Sequence, residues 1–135
     1  MLQHFPWLYA IATGFVINAG DVGCTLLFAA KPWEAELRRQ GLIPSNMTPP
    51  YYIAVNFIGG ILLCFIYVVF AKTMGATAIT ALVASVVVWL ITRIYGGGHV
   101  VMGQMPLQIF VVMSAGLALG YLAGGQVLAY LLGNG

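Results

Sequence analysis

The sequence predicts an all-α integral membrane protein: four transmembrane helices in a bundle, plus a short interfacial helix in the first connection. Three observations carry this. Of 135 residues 61% are hydrophobic and only 6% are charged, whereas soluble domains carry about 25% charged residues. Apolar runs of bilayer-crossing length recur, at about 6–30, 50–71, 76–95 and 106–132. Most of the charge is gathered in the one long polar stretch, 31–50. The length suits a single membrane domain spanning 1–135.

The first span opens at Pro6, whose missing N–H suits the first helical turn. Trp7 and Tyr9 suit the aromatic belt at the membrane interface. Met1-Leu2-Gln3-His4 lacks the basic region and cleavage site of a signal peptide, so the run is expected to stay as an anchor. Within it, Gly14, Asn18, Asp21 and Thr25 follow helical spacing and share one face. A carboxylate facing lipid costs about 2.5–3.5 kcal/mol at the helix centre. This face is therefore expected to meet other helices or water, with the rest of the chain assembled around it.

The connection 31–50 begins with the pattern of an amphipathic helix, about 32–40. Pro32 fits the first helical position, and Glu34 and Glu36 the N-terminal end. Arg38 and Arg39 fit the C-terminal end, and Gly41 the position just beyond it. Trp33 and Leu37 share a face that is expected to dip into the membrane, and Glu34 stands four residues before Arg38. A surface for docking a partner is the alternative reading of this helix. Asn46-Met47-Thr48 matches a glycosylation acceptor, but Thr48 ahead of Pro49-Pro50 is better read as the cap of the next helix.

The second span carries Asn56 in its first third and is expected to end before a Lys72-Thr73-Met74-Gly75 turn. The third starts near Ala76. Its end has two readings: the helix stops at Tyr95, ahead of Gly96-Gly97-Gly98, or it runs on to about Gln104. Pro106 opens the fourth span. There Gly116, Gly120 and Gly124 recur every four residues, a spacing that lets helix backbones approach closely. The partner of this ridge is either a helix of the same chain or another subunit.

Asn18, Asp21, Asn56 and Arg93 form the expected intramembrane polar cluster. If the third span continues to Gln104, Arg93 reaches the depth of Asp21 and the two can pair, with both asparagines completing the hydrogen bonds. If it stops at Tyr95, Arg93 is an interfacial charge that snorkels to the surface. Asp21 itself is either part of a structural polar knot or a proton- or cation-coupled site. His99 is read first as a loop histidine and second as a ligand for a pigment or haem. His4 lies on the opposite side of the membrane and cannot join it.

Other chemistry is disfavoured. An intramembrane aspartyl protease needs two aspartates, and Asp21 is alone. Ser45, Ser85 and Ser114 have no histidine in reach. No metal-ligand spacing appears, and no metal or cofactor is expected. The net charge of +2 is too small and dispersed for nucleic acid. Cys24 and Cys64 are read as small buried residues at different depths.

Four spans put both termini on one side. Lys31, Arg38, Arg39 and Arg93 gather on the other, against Lys72 on the terminal side. The positive-inside rule then places the termini outside and 31–50 in the cytoplasm of a bacterial inner membrane. The leading functional expectation is a non-catalytic accessory or structural subunit that packs against other membrane subunits or a second copy. It is motivated by the glycine ridge, the scarcity of charge and the lack of a catalytic set. The alternative is a small proton-coupled transporter or channel that uses Asp21.

The chain resembles small four-helix bacterial membrane proteins of unknown function. The resemblance rests on Ile17-Asn18-Ala19-Gly20-Asp21, on Lys31-Pro32-Trp33 with Gly41-Leu42-Ile43-Pro44, and on Val55-Asn56-Phe57. In those proteins an acidic residue likewise follows an Asn in the first span, and a Trp precedes a Leu-Gly-type turn. This resemblance implies a four-helix fold and no activity. The layout is also similar to the small multidrug resistance transporters, which have four helices and one acidic residue in the first. That resemblance implies that Asp21 is a proton- and substrate-binding acid. The long first connection and Arg93 depart from the pattern.

Overall fold

The computed structural model describes residues 4–39, 50–101 and 106–133, apart from the side chains at 37, 50–52, 95, 96 and 99. Among the described residues it is wholly helical: α1 (Trp7–Phe28), α2 (Ala30–Arg39), α3 (Pro50–Met74), α4 (Ala78–Val101) and α5 (Leu107–Gly133). Three stretches, Trp7–Phe28, Ile53–Met74 and Leu107–Gly133, are long and apolar enough to cross a bilayer, which marks the chain as a membrane protein. The exterior agrees with a lipid solvent. Leu8, Phe15, Leu27, Ile58, Ile79, Ile94 and Leu107 are all well exposed, an apolar surface that water would not tolerate.

The element boundaries differ from the sequence expectation for local reasons. The first span ends at Phe28, because Ala29 leaves helical geometry while its N–H still bonds Thr25 O at 2.9 Å. The next helix starts immediately, at Ala30. Pro32 is thus not its first residue, although it still falls in the first turn, where a missing N–H costs nothing. For the same reason Glu34 and Glu36 lie beyond the first turn.

The second span runs past the expected Lys72–Gly75 turn to Met74. It is stopped by Gly75, whose φ of 84° is the left-handed conformation that ends helices. Thr77 then caps α4, its hydroxyl accepting the Thr80 N–H at 3.2 Å, so α4 begins two residues later than expected. The triple glycine does not break α4, which continues to Val101. The reading of Gly41, of the Asn46–Thr48 sequence and of the Thr48 cap lies outside the described residues.

α5 packs against all four other helices, most extensively α1 and α4. α1 packs against α5 on one side and α3 on another, while α4 packs against α5 and α3 and, among the described residues, does not touch α1. Glycines set these distances. A Cβ added to Gly60 of α3 would stand 2.7 Å from Gly14 N of α1. One added to Gly20 of α1 would stand 2.7 Å from Gly116 O of α5, and one on Gly120 would stand 2.8 Å from Ile17 O. The ridge Gly116, Gly120 and Gly124 therefore meets α1 of the same chain. Leu63, Cys64, Tyr67, Val88, Leu117, Tyr121 and Leu128 fill the interior between the helices.

Trp33 is only 3% exposed and is covered by protein rather than offered to lipid; α2 packs on α1 and α5. Arg38 Nη2 bonds Glu34 Oε1 at 2.9 Å. Arg39 grips the buried Glu36 through Nε at 2.9 Å and through Nη2. These hydrogen bonds and the carboxylate charge raise the Arg39 guanidinium above its ordinary value. The side chain of Leu37 lies outside the described residues.

Candidate functional site

The site forms where α1 crosses α3, with α5 closing against it. Gly14 and Gly60 let α1 and α3 approach until their polar side chains interlock. Asn56 Nδ2 donates to Asp21 Oδ2 and to Asn18 Oδ1, both at 2.9 Å. Asn18 Nδ2 in turn donates to Gly14 O at 3.1 Å, so the amide is held from both ends. Gly116 opposes Asp21 from α5: a Cβ there would stand 3.2 Å from Asp21 Cα.

This leaves Asp21 only 5% exposed, with one satisfied oxygen. The other, Oδ1, is buried and has no hydrogen-bond partner among the described residues. A carboxylate offers about four acceptor positions, and buried polar atoms are nearly always paired. An open carboxylate oxygen inside a helical interface has the chemistry to hold a proton, a small cation or a cationic side chain.

Arg93 is the nearby cation, and it does not take that place. The helix continues past Tyr95 to Val101, toward the longer of the two readings and the one that would let Arg93 pair with Asp21, yet the guanidinium turns toward α5. Nη1 donates to Ser114 Oγ at 3.2 Å and Nε to Thr92 Oγ1 at 3.3 Å, and the group lies 5.4 Å from the centre of the Phe110 ring. Ser114 donates to Phe110 O at 2.6 Å, and the Trp89 indole donates to Ser114 O at 2.9 Å. Arg93 thus rests on neutral acceptors and an aromatic face. It is half-buried and makes no direct ion pair with Asp21.

All of these groups lie in one layer. At 1.5 Å per residue, Asp21, Asn56, Arg93 and Ser114 each stand roughly 10 Å from the helix end nearest the 31–50 connection. The contribution of Ser114 and Trp89 was not visible from motifs. The signal that finds Ser114 is a hydroxyl in an apolar span at the same distance from its helix end as Arg93 from its own. Position 99 falls within α4, not a loop, and its side chain lies outside the described residues. Among the described residues no three His, Cys, Asp or Glu side chains gather to hold a metal.

Compared with protein families, with curated proteins and with solved structures, the chain finds no match.

Proposed function

We propose that this chain is a small coupled transporter or channel with four spans in a bundle, in which Asp21 takes up and releases a proton or small cation. The observation that supports this most is the buried, unpartnered Asp21 Oδ1. A purely structural knot gains most when every member is satisfied, and a half-satisfied one is worse than an apolar contact. α4 supplies the fourth span: its apolar part, Ala78–Ile94, is shorter than the other three, but the whole helix continues to Val101. The positive-inside rule favours a cytoplasmic 31–50 connection, which puts the Asp21 layer in the cytoplasmic half of an inner membrane.

The accessory-subunit reading is less well supported, because the glycine ridge that motivated it faces α1. The chemistry is non-catalytic. The test is reconstitution of the full chain into liposomes. Proton flux is read with an entrapped pH dye and sodium flux with a radioactive tracer. Wild-type flux above protein-free vesicles, abolished by Asp21→Asn with folding intact, supports the reading. Flux equal to empty vesicles, or unchanged in Asp21→Asn, overturns it.

A further inference from the structure

We propose that Arg93 is a resident counter-cation for Asp21: when the carboxyl gives up its proton or bound cation, the guanidinium leaves Ser114 and pairs with the open oxygen. This deepens the reading of Asp21 as an exchange site and rests on it. A buried carboxylate without a counter-charge is strongly disfavoured, while a protonated or cation-bound one needs none. The structure holds both halves of such a pair in one layer and apart.

The guanidinium is held loosely. Its bonds to Ser114 and Thr92, at 3.2 and 3.3 Å, lie at the long end of the range for N–H donors, and both acceptors are uncharged. A carboxylate offers a stronger, shorter and bidentate alternative. No other described cation competes for the place. From α3, Asp21 meets the neutral Asn56; from α5, Gly116 lies against its backbone and the nearest titratable side chain is the neutral Tyr121 phenol, which stands against Gly59 of α3; on α1, Cys24 is one turn away. On α2, Glu36 is paired with Arg39. Arg93, on α4, is the only cation among the described residues of the layer. Its guanidinium and the transported ion would then occupy Asp21 in alternation, which prevents an empty, charged carboxylate in the membrane at any point of the cycle.

The test uses isotope-edited infrared spectroscopy of the full chain in lipid nanodiscs. Asp21 is the sole aspartate in the sequence, so labelled aspartate reports on it alone. Spectra are taken from acid to alkaline pH, and with sodium chloride against choline chloride, for wild type, Arg93→Gln and Arg93→Lys. The lysine variant keeps the charge, loses the planar fork and guards against misfolding of the glutamine variant. The proposal expects the ion-occupied state to have the same Asp21 band in all three proteins. It expects the ion-free carboxylate band to be displaced in both variants. An Asp21 that responds to pH or sodium, with a carboxylate band indifferent to residue 93, overturns the counter-cation and leaves the exchange site standing. A band that differs in both states shows a permanent contact and overturns the alternation. An Asp21 unmoved by pH and by sodium overturns the exchange site and this proposal together.

Discussion

Asn56 of α3 divides its one amide nitrogen between two residues of α1, standing 2.9 Å from Asp21 Oδ2 and 2.9 Å from Asn18 Oδ1. That bridge fixes the α1–α3 register at the depth of the carboxyl and uses only one of its oxygens. Removing it should reveal how the site is held. Interhelical hydrogen bonds in membranes average only about 0.6 kcal/mol. Stranding a buried carboxyl is the larger effect, about 1–3 kcal/mol. Asn56→Ala is expected to lower thermal stability in detergent by that larger amount, and adding Asp21→Ala should recover part of it. A neutral Asn56→Ala would show that the bridge holds nothing.

The α1–α5 contact makes a sharper stability prediction. Gly120→Val places a branched side chain where even a Cβ meets Ile17 O at 2.8 Å, so the helices must separate, at a cost of about 1–3 kcal/mol or more. Gly23, on the same α1, has nothing within 4 Å of its added Cβ. Gly23→Ala should therefore leave stability unchanged or raise it by up to about 1 kcal/mol through helix propensity. Thermal unfolding of both variants in one detergent checks the contrast. Equal effects would argue against the α1–α5 packing.

Trp33 separates a buried anchor from a lipid-facing one. At 3% exposure its ring should be shielded from brominated lipids, whereas Trp7, at 44%, should be quenched. Single-tryptophan variants retaining Trp33 or Trp7, reconstituted in brominated and ordinary lipid, give the two ratios. Trp33→Ala should also destabilise by about 3–5 kcal/mol, the usual loss for a buried aromatic. Strong quenching of Trp33 would restore the interfacial role read from the amphipathic pattern.

The helices were legible because composition and apolar run length are local properties: a bilayer demands both, and the sequence supplies both. The boundaries were less so. Lys72-Thr73-Met74 looks like a turn by polarity, but only Gly75 has the conformation that stops α3. The triple glycine looks like a stop, but α4 runs through it. The burial of Trp33 against protein was not legible, because an amphipathic face does not say which apolar medium it enters. Asn18, Asp21 and Asn56 could be singled out because a polar group in an apolar span must be accounted for. That Arg93 would choose Ser114 over Asp21 depends on the packing of α4 on α5, which no spacing along the chain encodes.

The most direct test of Asp21 as an exchange site is its modification by an apolar carbodiimide in native-like membranes, located by mass spectrometry. A carboxyl that carries a proton adds across the carbodiimide, its proton going to nitrogen and its oxygen to the central carbon, so the rate follows the protonated fraction and must fall as pH rises through the titration of the site. An exchanging Asp21 is predicted to be labelled at acid pH, progressively less as pH rises, and less again when a bound cation competes. Failure to label Asp21 in intact protein, or labelling indifferent to both pH and salt, would contradict the account.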